Sequence, residues 1–101
     1  MGQSVALDKS YAFALRVVRL YKHLTEEQRE FVLSRQTLTA GTHVGAHVKS
    51  AQEAESKAAF AHEMSVALQK ASETEYWLQL LRDGEFSKRR PSTRSTPTAS
   101  N

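Results

Sequence analysis

The run Ser10–Lys22, Ser-Tyr-Ala-Phe-Ala-Leu-Arg-Val-Val-Arg-Leu-Tyr-Lys, puts apolar side chains around far more of a helix than one buried face requires. At ~100° per residue, Leu7, Tyr11, Ala14, Val18 and Tyr21 fall on one flank, and Phe13, Val17, Leu20 and Leu24 on the adjoining one. The narrow strip that remains carries Lys9, Arg16, Arg19, Lys22 and His23, so the solvated edge is almost purely cationic. An apolar arc this broad exceeds the single stripe of an ordinary surface helix. It predicts burial on two sides, within a bundle and against another subunit.

The chain has 101 residues and no cysteine. A chain of that size makes one small domain that buries about two thirds of its unfolded surface, so association would add stability. Without cysteine there is no disulfide, iron–sulfur cluster or thiol nucleophile. No basic-then-apolar leader and no apolar run near the ~20 residues of a membrane span is found, which predicts a soluble cytoplasmic protein. The formal charge of +3 is unevenly placed: residues 1–83 hold ten Lys/Arg and ten Asp/Glu, and residues 84–101 four basic residues and one acid. The basic balance therefore reports Lys88, Arg89, Arg90 and Arg94 rather than a basic folded surface.

The first helix is expected over about Val5 to His23. Thr25-Glu-Glu-Gln28 has the spacing of a capping box, with two acids favouring the positive end of a helix, and predicts a second helix from there to about Ala51. Gly41 and Gly45 lie near Leu38, Ser34, Phe31 and Val48 on its wheel, so its seam is lined by small groups. Each glycine costs roughly 1 kcal/mol of helix propensity relative to alanine, which close packing of two backbones would offset. The competing reading is a break at Gly41–Gly45. Ser56 suits the cap of a third helix that ends at Gly84, a residue suited to the left-handed position after the last turn. Phe60, Met64, Ala67, Leu68, Ala71, Leu78 and Leu81 make its main stripe, and Tyr76, Trp77 and Leu80 a second patch facing elsewhere. From Glu85 onward Ser, Thr, Pro and Arg without periodicity read as a disordered basic tail. The expected organisation is a helical domain over residues 1–84 and a tail over 85–101.

Three pieces in order, Ser10–Tyr21, Gly41–Val48 and Glu73–Leu81, resemble the bacterial four-helix-bundle family named after 23S ribosomal RNA intervening sequences, over about residues 5–83. They also resemble the related accessory variability determinant proteins of diversity-generating retroelements. The resemblance implies an all-α, up-and-down antiparallel bundle that assembles as a homopentamer, with no known enzymatic activity and a role in binding nucleic acid. Family members usually continue past the third helix into a fourth amphipathic one, whereas Glu85–Pro91 leads here into Ser/Thr/Pro sequence. Members also often carry arginine at the position of Thr39, serine at Ala40 and His43, asparagine at His47 and an acid at Lys49. The expectation is a shortened, drifting copy lacking the fourth helix, with impaired function.

Several side-chain groups invite chemistry. His43 and His47 share one helix side at the i, i+4 spacing of many metal sites, but without a third ligand they read as surface or interface histidines, and no metal is expected. Glu73 and Glu75 point roughly 200° apart on a helix and cannot converge as an acid/base pair. Glu75, beside the main stripe, suits an ion pair with Arg16, Arg35 or Lys49. No phosphate loop, nucleophile motif or cofactor element is found, so neither enzymatic activity nor a cofactor is expected. Lys9, Arg16, Arg19 and Lys22 form a cationic ridge, repeated around an oligomer, that fits phosphate contact. Phe13, Val17, Leu20, Tyr76, Trp77 and Leu80 are the expected subunit interface, since Tyr76 and Trp77 lie among aliphatics rather than basic residues. The function expected is a non-enzymatic nucleic-acid-binding accessory or scaffold protein. The alternative is a protein-interaction module whose exposed edge docks another protein's helix.

Overall fold

The structure, a computed structural model, describes residues 5–84, which form three α-helices and no strand. The expectations for the tail, and for the missing fourth helix, fall outside the described residues.

Helix α1 spans Val5–Glu26, α2 Leu33–Gln52 and α3 Lys57–Asp83. Val17 of α1 lies against Gly41 of α2, and Ser10 lies against Gly45. The α1 numbers fall as the α2 numbers rise, so the two helices run antiparallel. His47 of α2 meets Glu63 of α3, the second antiparallel crossing. α2 is the middle element, packed on both neighbours, whereas no Cα of α1 comes within 8 Å of one of α3 among the described residues.

The continuous reading of α2 holds: both glycines sit inside an unbroken helix. A Cβ at Gly41 would stand 2.9 Å from Val17 Cγ2 and 3.0 Å from Cγ1, so only a bare backbone lets the helices approach this closely. The seams of α2 with its two neighbours are completed by small polar residues. Ser34, Thr37 and Thr74 are fully buried, and their hydroxyls donate to the carbonyls of Glu30, Leu33 and Lys70 at 2.8, 2.8 and 2.6 Å. A hydroxyl satisfied by its own helix can be buried without a partner across the seam. Val17, Leu24, Val48, Ala67 and Leu81 supply the apolar remainder.

The boundary between α1 and α2 differs from the expected one. No capping box forms at Thr25, whose hydroxyl donates backward to the Tyr21 carbonyl at 2.9 Å and prolongs α1. Arg29 takes a left-handed backbone with φ 57°, and the Glu30 amide donates to the Leu24 carbonyl at 2.9 Å. The cap of α2 is Glu30 instead: its carboxylate accepts from the amides of Val32, Leu33 and Ser34 at 3.1, 2.7 and 2.7 Å. A long side chain folding back onto the first turn satisfies donors that a helix start leaves free, and its charge suits the positive end. Ser56 caps α3 as expected, accepting from the Ala59 amide at 3.0 Å. Gly84 follows α3 but is not left-handed. Its φ is −84°, and its amide continues the helical pattern to the Leu80 carbonyl at 2.8 Å.

Candidate functional site

Because α2 holds α1 and α3 apart, a trough opens between them. Val44 and Val48 of α2 lie along its floor, Phe13 of α1 forms one wall, and Met64, Leu68 and Leu78 of α3 form the other, enclosing about 480 Å³. A narrower continuation of about 230 Å³ runs between Phe13, Arg16, Val17, Leu20 and Leu78. The main stripe read on α3 is thus divided: Ala67 and Leu81 are buried, while Met64, Leu68, Ala71 and Leu78 face the trough. Leu68 is 69% exposed and Phe60 43%. Leaving such side chains in water forgoes about 1.5–3 kcal/mol for each one that could be fully buried.

The α1 cations are all exposed, and none forms an ion pair among the described residues. They do not make one straight ridge. Lys9 and Arg16 line the trough and its continuation, while Arg19 and Lys22 are rotated about 60° and 120° from Arg16. The acids of α1, Asp8 and Glu26, stand near its two ends.

The residues expected at a subunit interface separate into three places. Val17 is 3% exposed beneath Gly41, so the intramolecular seam takes it and no second chain reaches it while α2 is in place. Phe13 and Leu20 line the trough. Tyr76, Trp77 and Leu80 lie on α3 away from the trough, with Tyr76 56% exposed. There the Tyr76 and Trp77 rings meet edge-on at 5.2 Å, and Trp77 Nε1 donates to Glu73 Oε2 at 3.4 Å.

Glu75 also departs from expectation. It lines the trough and makes no ion pair among the described residues. Glu73 pairs instead with Lys70 at 3.5 Å. His47 Nδ1 donates to Glu63 Oε1 at 2.8 Å, tying α2 to α3, and its ring meets His43 edge-on at 6.2 Å. Among the described residues no cluster of three or more His, Asp or Glu could hold a metal ion. At the end of α3, the hydrogen bond from Arg82 holds the exposed Asp83 carboxyl below its usual range. Sequence reading missed the roles of Val44 and Glu75 in the trough. The available signal was Val44, which stands about 60° round α2 from Gly41, at the edge of the seam with α1 rather than on it.

No described helix is long and apolar enough to cross a membrane. A comparison with curated proteins finds no match. Among solved structures, the chain is similar to a protein of unknown function from the S23 ribosomal protein family of Bacteroides thetaiotaomicron VPI-5482. The two are 49% identical with a TM-score of 0.81, over 84% of this chain and 79% of that one. The model of the 23S rRNA-intervening sequence proteins matches residues 3–96, past the point near residue 83 where the resemblance read from sequence stopped. With a match over nearly its whole length, the chain belongs to the 23S rRNA-intervening sequence protein family.

Proposed function

We propose that this protein is a non-enzymatic, cytoplasmic homo-oligomer, pentameric as the family resemblance implies, that contacts RNA or DNA as an accessory or scaffold. The observation that carries the nucleic-acid reading is the exposed basic edge of α1, where Lys9, Arg16, Arg19 and Lys22 lack acidic partners among the described residues. Cations left unneutralised by the fold attract phosphates and release their counterions on contact. One chain offers few such contacts. An oligomer repeats them with fixed spacing, so that binding one repeat raises the effective concentration of the next.

Fluorescence anisotropy with a labelled single-stranded RNA and a duplex DNA, titrated across salt, tests this. The expected result is binding at low salt that weakens linearly on a log–log plot. In an Arg19→Glu/Lys22→Glu variant the slope should flatten by about 2 per contacting chain, one unit per lost phosphate contact. No binding of either probe at low salt, or an unchanged slope in the variant, overturns the reading.

The apolar trough favours a second reading, a protein-interaction module that docks an amphipathic helix. Such docking would change little between low and moderate salt.

A further inference from the structure

We infer that His43 and His47 bind one divalent transition-metal ion on the outer side of α2, with Glu63 of α3 orienting the second ligand. The two rings stand one turn apart on the helix, their centroids 6.2 Å from one another and their planes at 88°. Spacing of that kind carries little by itself. The contact that gives it weight crosses to α3, where the Glu63 carboxylate accepts from His47 Nδ1 at 2.8 Å. An imidazole whose Nδ1 holds the proton keeps a lone pair on Nε2, and a carboxylate on the far nitrogen fixes the tautomer and ring angle and makes the ligand more basic. Metal-binding histidines almost always have such a partner. Sequence reading set the pair aside for want of a third ligand, and the structure brings in an acid sixteen residues further on, in a different role. Glu63 stands behind the ligand and not on the ion. The site therefore has two protein nitrogens, and water fills the remaining positions, in keeping with the absence of a three-residue cluster among the described residues.

Distance, access and charge agree with this. Each metal–nitrogen bond is about 2.0–2.1 Å long, and the rest of the 6.2 Å between centroids is the reach from each ring's centre to its own nitrogen. His43 is exposed, as are its short neighbours Thr39, Ala46 and Ser50, so nothing bulky on α2 blocks the approach. The cations nearest in sequence are already answered: Lys49 pairs with Glu53 at 3.3 Å and Lys70 with Glu73 at 3.5 Å. Glu63 meets only the His47 ring, which is neutral when it ligates a metal, so the site keeps a negative charge that favours a cation. Ligand type selects the ion. Imidazole suits copper, nickel and zinc, whereas magnesium and calcium take oxygen ligands. Affinity for a given nitrogen site peaks at Cu2+, so Cu2+ is the ion held most tightly. Bound there, it clips one turn of α2 and, through Glu63, braces the crossing with α3, which stabilises the folded chain by mass action.

Isothermal titration calorimetry of the full chain with CuCl2, NiCl2, ZnCl2 and MgCl2 tests the site. The expected result is one Cu2+ per chain, weaker binding of Ni2+ and Zn2+, and no heat from Mg2+. His43→Asn changes an exposed ligand, so folding is little affected, and far-UV circular dichroism verifies it. That variant and His47→Asn should each bind Cu2+ about tenfold more weakly or worse, and Glu63→Ala should lose about tenfold to a hundredfold by freeing the His47 ring. The electron paramagnetic resonance spectrum of the Cu2+ form should show coupling to two nitrogens in the wild type and to one in His43→Asn. Cu2+ should also raise the melting temperature of the wild type more than that of His43→Asn. No saturable Cu2+ binding, equal heats from Mg2+, or wild-type affinity in His43→Asn overturns the site. Unchanged affinity in Glu63→Ala overturns the orienting role given to that carboxylate.

Discussion

Gly41 and Gly45 lie one turn apart on α2 yet bear different constraints. At Gly41 an added methyl would meet the Cγ2, Cγ1 and Cβ atoms of Val17 at 2.9, 3.0 and 3.2 Å. Valine is stiff about χ1 in a helix, and the approach includes its own Cβ, so rotation gives little relief and the helices must part. Overpacking costs about 1–3 kcal/mol against about 1 kcal/mol of helix propensity gained. Gly41→Ala should therefore destabilise by about 1 kcal/mol. At Gly45 the nearest atom is the Ser10 carbonyl oxygen at 3.5 Å, an ordinary contact. Gly45→Ala should stabilise by up to about 1 kcal/mol. Urea denaturation of both variants checks the pair, and equal shifts of the same sign would refute the close-approach argument for Gly41. Adding Val17→Ala to Gly41→Ala should cost less than the sum of the single changes, because the two side chains compete for one space.

At the scale of the element, what the sequence discloses depends on whether a signal is local. The three helices, the unbroken run through both glycines and the Ser56 cap were legible, because periodicity and a capping serine act within one or two turns. The start of α2 was not. Thr25-Glu-Glu-Gln28 has the right spacing for a cap, but Thr25 bonds back to Tyr21 and the work falls to Glu30, whose reach depends on the left-handed turn at Arg29. No periodic pattern encodes that turn. Glu30→Ala should remove acceptors from the first turn of α2 and cost about 1–2 kcal/mol. Hydrogen exchange should show it locally, with faster exchange at the Leu33 and Ser34 amides than at those near Ala51. Uniform acceleration along α2, or none, would contradict the assignment. The two-sided character of α3 was also legible. Its division into buried, trough-facing and outward positions needed the arrangement of all three helices, and Val17 moved from expected interface to core for the same reason.

The described residues form a small bundle whose middle helix is well covered by them and whose outer helices are not. α1 and α3 each give one side to α2 and do not meet one another among the described residues, so Phe13, Leu20, Met64 and Leu78 line an open trough and Leu68 is largely exposed. Contiguous exposed apolar surface of this kind marks an interaction site. The α1 cations gain their proposed value only through repetition, which makes association the condition on which the nucleic-acid reading stands. Sedimentation velocity of the wild-type protein over a wide concentration range tests that condition most directly. The account predicts one dominant species of several times the monomer mass, persisting in high salt because apolar contacts hold it. A single monomeric boundary at every concentration would contradict it.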